Sequence, residues 1–229
     1  MIVGGLQKFS LIDYPGKTSA ILFALGCNFR CKYCHNPELV IPEKYADEIP
    51  LSQIYDFLES RRGKLDAVSI TGGEPTLHAD LPEIIEKIKT MGFLIKLDSN
   101  GTSPEVLKNL LDKKLVDYMA MDIKAPLEDY SKIVGHEVSI DKLKKSIALI
   151  MNSGISYEFR TTIVKSLTSK DDLRKIAKTI KGAENYYLQK FIPTKACDQS
   201  IMGEVSYSDE EFQKLSQELK TFVKNCGVR

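Results

Sequence analysis

The sequence predicts an α/β fold with a parallel sheet, and three observations predict it. Six short apolar or β-branched runs alternate with amphipathic helical stretches. Several of those runs are apolar on both faces, as strands covered by helices should be. The polar and glycine-rich oddities gather at the C-terminal ends of the runs, the edge where parallel α/β folds build their sites. Alternation of this kind marks βαβ units; whether the sheet opens flat or curls into a partial barrel is not decided by the pattern. With 229 residues and no repeat, low-complexity tract or linker rich in Pro, Gly and Ser, one domain over 1–229 is expected.

In chain order, residues 4–18 read as a short strand, a Tyr-Pro-Gly turn and the entry to the core. Core strands are expected at 19–24, 66–71, 93–98, 117–122, 155–164 and 185–191. A helix at 52–60 carries Ile54, Phe57 and Leu58 and ends before Gly63. Asp80 is the expected cap of the next, whose Leu81, Ile84, Ile85 and Ile88 fall on one face, with Gly92 as its stop. Ser103 and Pro104 open a third over Val106, Leu107, Leu110 and Leu111. Ser139 opens a fourth (Ile140, Leu143, Ile147, Ile150), which ends by Gly154. Capping-box pairs, Ser169 with Asp172 and Ser208 with Glu211, begin the last two.

Composition narrows the function classes. A formal net charge of +1 provides no global basic field, so nucleic acid is not an expected partner. The longest apolar run, Ala20 to Leu25, is far short of the roughly 20 residues of a membrane span. Met1 to Lys17 contains Gly4, Gly5, Asp13 and Pro15 and lacks the apolar core of a signal peptide. A cytoplasmic protein with reduced thiols is expected. Of five cysteines, Cys197 and Cys226 stand apart, free to pair in a disulfide or to remain thiols.

The other three, Cys27, Cys31 and Cys34, follow the first core strand with CxxxCxxC spacing. Thiols this close share a metal centre or form disulfides, and an odd count leaves one over. A 4Fe–4S cubane needs four ligands, so three cysteines leave one iron open. The alternative is zinc held by the three cysteines and His35, although zinc sites usually pair two such knuckles and no second exists here. Gly72-Gly73-Glu74-Pro75 ends the second strand; the glycines suit either a tight turn or a close ligand approach, with Glu74 placed to receive a cationic group. Asp98-Ser99 and Asp122-Ile123-Lys124 end the next two strands and suggest a polar cradle. Arg160 lies within a strand and needs an anionic partner: Glu158, another carboxylate or a ligand. Gln189 and Lys190 lie near the end of the last strand, His78 and His136 read as surface loop residues, and Tyr186 and Tyr187 as core.

Taken together, CxxxCxxC with Tyr33 before the last cysteine and Gly-Gly-Glu-Pro at 72–75 resemble the radical S-adenosylmethionine enzymes. Cys34-His35-Asn36, Leu97 to Gly101, Met121 to Lys124 and Phe159 to Val164 resemble glycyl-radical-enzyme activases more closely. Residues 5–17 are similar to the activating protein of anaerobic ribonucleoside-triphosphate reductase. The resemblance implies a partial (βα)6 TIM-like barrel and one 4Fe–4S cluster on Cys27, Cys31 and Cys34, with S-adenosylmethionine on the open iron. It implies cofactor contacts from Tyr33, His35, Gly72, Gly73, Glu74, Lys124 and Arg160. Asp98, Ser99 and Asp122 match positions that hold a monovalent cation in the pyruvate formate-lyase activase, and Gln189 replaces a histidine there. It also implies a glycyl radical enzyme as protein substrate and a flavodoxin- or ferredoxin-like electron donor. Two other readings remain: a radical enzyme acting on a small molecule, and a non-catalytic iron–sulfur or zinc protein.

Overall fold

Eight strands hydrogen-bond in the order of the sequence in the computed structural model, which describes residues 1–229. They are β1 (Val3–Ser10), β2 (Ser19–Ala24), β3 (Ala67–Gly72), β4 (Leu94–Ser99), β5 (Tyr118–Asp122), β6 (Ser156–Ile163), β7 (Asn185–Lys190) and β8 (Asn225–Val228). β1 runs antiparallel to β2, and every later pair is parallel. The helices are α1 (Pro37–Val40), α2 (Leu51–Glu59), α3 (Leu81–Thr90), α4 (Pro104–Asp112), α5 (Tyr130–Val134), α6 (Ile140–Met151), α7 (Lys170–Thr179) and α8 (Asp209–Leu219).

Because the strand order never reverses, right-handed crossovers put the helices on one side of the sheet. The bare face then has to cover itself, and it does so by curling. Arg160 on β6 reaches across the inside to Asp98 on β4, and one cavity is lined from the loop after β2 through to β7. β1 and β8 each have a single neighbour, so the barrel stays open. The undecided choice between flat sheet and partial barrel is thereby settled by topology.

The six expected core strands all form, with ends shifted by a residue or so. They are β2 to β7, and the expected opening strand is β1; only β8 was not expected. The opening strand joins the sheet as its antiparallel edge, and β8 adds the other edge through the backbone of β7. Both predicted capping boxes are made, and Ser139 accepts from Lys142 N–H. Asp80 and Ser103 do not cap their helices. Asp80 instead pairs with the amino group of Met1. Tyr186 is fully buried and donates to Thr161 Oγ1 at 2.8 Å, whereas Tyr187 is only half-buried and lies 3.6 Å beneath the Arg229 guanidinium. All five cysteines are free thiols, which answers the question left open for Cys197 and Cys226. No helix is long and apolar enough to cross a membrane.

Candidate active site

β2 is buried along its length because both its faces are apolar, so the chain leaves the sheet abruptly at Leu25 and the cysteine loop begins. The loop is held by its backbone. Gly26 N–H donates to Leu39 O at 2.8 Å, Arg30 N–H to Val134 O at 2.7 Å and Cys34 N–H to Cys31 O at 3.1 Å. The Arg30 guanidinium folds back onto Cys27 O (2.7 Å) and Phe29 O (2.8 Å). Asn28 bridges the loop to the end of β4, donating to Thr102 Oγ1 at 3.0 Å and accepting from Asn100 Nδ2 at 2.8 Å.

Cys27, Cys31 and Cys34 line one cavity of about 260 Å³ at the C-terminal mouth of the barrel. Phe29 N–H donates to Cys27 Sγ at 3.4 Å. Burial pushes the Cys27 thiol up to about 12 and that of Cys31 up to about 11, with Lys124 opposing the rise at Cys31. Three thiolates in this setting need more positive charge than one lysine supplies, and a metal centre provides it. Tyr33 lines the same cavity, and its buried hydroxyl has no partner. An unpaired buried hydroxyl costs about 1–3 kcal/mol.

These observations fit an iron–sulfur cluster better than zinc. No three His, Cys, Asp or Glu side chains converge on a point that could hold a single ion, and a cubane places each thiolate on a different iron. His35, the fourth ligand of the zinc alternative, has its Nε2 on Ile192 O at 2.9 Å and its ring stacked on Phe191.

The strand ends complete the cavity wall. Gly72 has φ +110°, and a Cβ there would fall 2.6 Å from Ala24 N; one on Gly73 would fall 2.0 Å from Gly26 O. The close approach that demands both glycines is therefore made by β2 and the cysteine loop, not by a ligand. Glu74 is buried and accepts from Thr76 N–H, Thr76 Oγ1, Ser99 Oγ and Asn100 N–H. Three of the donors share Oε1 and Asn100 N–H takes Oε2, so Glu74 joins the end of β3 to that of β4. Burial nevertheless raises its pKa.

Beneath the cavity the charges are paired with one another. Arg160 Nε donates to Asp122 Oδ1 at 2.9 Å and Nη1 to Asp98 Oδ2 at 3.0 Å. Lys124 Nζ meets Asp122 Oδ2 at 2.9 Å, and Lys96 meets Asp98 Oδ1. Glu158 holds Arg229 at 2.7 and 2.8 Å and accepts from Tyr118 at 2.8 Å. Burial disfavours the ionised carboxylates, but Arg160 with Lys96 at Asp98, and with Lys124 at Asp122, outweighs it and holds both below the usual carboxylate range. Every oxygen of the two carboxylates has a cationic side chain, so the set does not fit the monovalent cation expected with Ser99.

Of the expected contacts, Tyr33, His35, Gly72, Gly73, Glu74, Asp98, Ser99, Asp122, Lys124 and Gln189 line the cavity. Arg160 does not. Its partner is the carboxylate pair, not a ligand, and it sits with Lys96 and Arg229 around a second cavity beneath. Lys190 is drawn away to Asp209. His78 is not free surface, since its Nε2 meets Leu25 O at 2.9 Å. Sequence reading missed Asn28, Asn100, Thr71, Lys96 and Thr162. Lys96 had a signal, because residues two apart on a strand share a face and Asp98 is its partner.

Fold and thiol-lined cavity define an enzyme of the radical S-adenosylmethionine class, and the comparisons agree: residues 21–180 match the Radical SAM superfamily. The chain belongs to that superfamily. It is 36% identical to a Methanocaldococcus jannaschii protein that carries the provisional name of a glycyl-radical enzyme activating enzyme, over all of this chain and 95% of the relative. It is 29% identical to the pyruvate formate-lyase-activating enzyme of Clostridium pasteurianum, covering 84% of this chain and 83% of the relative. Among solved structures, Streptococcus suis SuiB bound to the precursor peptide SuiA superposes with TM-score 0.68 at 14% identity. That match covers 91% of this chain, which spans only 48% of SuiB. QueE from Escherichia coli superposes at 0.53 and 16% identity over 88% of this chain and 90% of its own. These two likenesses concern the fold. Membership of the family implies a 4Fe–4S cluster and S-adenosylmethionine.

Proposed function

We propose that this chain installs a glycyl radical on a partner enzyme, with Cys27, Cys31 and Cys34 as the only protein ligands of its cluster. The observation that carries the reading is that those three cysteines and Tyr33 line one cavity, in a chain that matches along its whole length a relative provisionally named as an activating enzyme. When bound, the cluster and S-adenosylmethionine supply the hard step, reductive scission of a sulfonium C–S bond and delivery of a 5′-deoxyadenosyl radical.

The chain's own residues bind, orient and exclude water. Lys124 has donors beyond the one used on Asp122 and can hold a carboxylate at the cavity wall. The backbone of Gly72 and Gly73, Gln189, and the face of His35 stacked on Phe191 frame the adenosyl and methionyl parts. Glu74, Asp98 and Asp122 position the strand ends. The unclosed edge between β1 and β8 gives a peptide loop of the partner a route to the interior. No monovalent cation is required, since Lys96, Arg160 and Lys124 already neutralise Asp98 and Asp122. A flavodoxin- or ferredoxin-like protein would deliver the electron.

Anaerobic ribonucleoside-triphosphate reductase is the first candidate partner, because residues 5–17 resemble its activating protein. Pyruvate formate-lyase is the second, favoured by the Clostridium relative. The test combines anaerobically reconstituted protein, reductant, S-adenosylmethionine and each candidate, followed by EPR. A glycine-centred radical on one candidate, absent with Cys31→Ala, is the expected result. Formation of 5′-deoxyadenosine with no radical on either candidate would sink the assignment to these partners, and one zinc per chain with no visible absorbance would sink the radical chemistry.

A further inference from the structure

Cys197 lies behind the cysteine loop, outside the wall of the cavity, on the strap of chain between β7 and α8. The strap is tied to the loop at several points. Cys197 N–H donates to Cys34 O at 2.9 Å and Asp198 N–H to Lys32 O at 3.0 Å. Lys195 pairs with Glu38 at 2.5 Å, and Ile192 O meets His35. The first of these bonds joins the backbones of the two cysteines themselves, which caps their Cα separation at about 6.8 Å, the upper edge of the range a disulfide spans. Both side chains pack on the small apolar cluster of Leu25, Leu39 and Val40.

We propose that Cys197 is an oxidative modification site, the resolving partner that captures Cys34 when the cluster is lost to a hydroperoxide; this rests on the reading of Cys34 as a cluster ligand. The released Cys34 thiolate attacks the peroxide oxygen, the O–O bond breaks, and with one proton a sulfenic acid and one water form from hydrogen peroxide. The Cys197 sulfur then displaces hydroxide from that sulfenic acid, giving the S–S bond and a second water. Two thiols lose two electrons, and the peroxide gains them. Without a resolving thiol the sulfenic acid is open to further oxidation to sulfinic acid, which thiols do not reverse. A dithiol reductant restores both cysteines by exchange, so the ligand is stored rather than destroyed.

The test treats anaerobically loaded enzyme with hydrogen peroxide until its iron is released, then alkylates and digests it with trypsin without reductant. Trypsin separates the relevant thiols: Cys27 falls in 18–30, Cys31 in 31–32, Cys34 in 33–44 and Cys197 in 196–214. Peptide 33–44 joined to 196–214 is the expected main cross-link. With Cys197→Ser, Cys34 sulfinic and sulfonic acid should rise several-fold and iron reloading after dithiothreitol should fall. Iron content and S-adenosylmethionine cleavage before peroxide should match the wild type. Cross-linking of 33–44 mainly to 31–32 or 18–30, or equal over-oxidation of Cys34 in both proteins, overturns the proposal. The same mapping on metal-free protein decides the cysteine pair independently, so failure to bind iron would count against the cluster alone.

Discussion

The mouth of the barrel and the lumen beneath it are both polar, yet they are finished differently. In the lumen, Lys96, Arg160, Glu158 and Arg229 pair with one another and with Asp98 and Asp122, which form the floor of the mouth cavity, and Tyr118 and Thr71 donate to the remaining oxygens. At the mouth, three thiols, one buried and two half-buried, line a cavity and the Tyr33 hydroxyl bonds to nothing. The paired charges brace the fold, whereas the thiols are left for a ligand; the buried Ser19 and Ser69 hydroxyls, also unpaired, lie outside the cavity. The difference locates function more directly than charge density does, because most of the buried charge is in the lumen.

The largest effect that would test this contrast is on stability. Arg160→Met leaves Asp98 and Asp122 under-compensated and should cost about 3–5 kcal/mol, read as a lower denaturation midpoint at unchanged slope; a loss below 1 kcal/mol would show that the lumen is not a brace. Glu74→Gln turns one carboxylate oxygen into an amide donor that faces at least one donor, and should cost about 1–3 kcal/mol in the same assay.

Acid should act through the same carboxylates. Their folded pKa values are depressed, so their contribution is present above the unfolded value of about 3.9 and is lost as pH falls through the folded values. Wild-type stability should therefore fall steeply below about pH 4, and Arg160→Met should show a shallower fall there by equilibrium unfolding. An equal slope in both proteins would contradict the pairing.

The smallest stability loss is expected at the mouth. Tyr33→Phe removes a buried hydroxyl without a partner and should raise stability by about 1 kcal/mol or more rather than lower it, while weakening S-adenosylmethionine binding measured on the reconstituted protein. Tyr186→Phe is the control, since it breaks a made hydrogen bond to Thr161 and should cost about 1 kcal/mol. If Tyr33→Phe proves the more destabilising of the two, the hydroxyl has a partner after all.

Much of this was legible along the chain. Core strands announce themselves as apolar runs because a strand covered by helices has no face to leave polar, and both capping boxes announce themselves by local spacing. β8 was not legible: Asn-Cys-Gly-Val has no pattern of its own and becomes a strand only against the backbone of β7. Asp80 looked like a cap until the chain's amino terminus arrived to claim it. Arg160 was recognised as a buried cation in need of an anion, but its choice between protein and ligand rested on how far the sheet curls.

The sequence by itself determined the α/β class, the strand and helix periods and the three-thiol loop, because periodicity and motif spacing are local properties. Tertiary structure alone decided that the sheet curls, that Gly72 and Gly73 make room for β2, that Arg160 serves the fold and that Cys197 lies against Cys34. Each of those is a contact between residues distant in sequence, set by strand order and curvature, and strand order is written in no single segment.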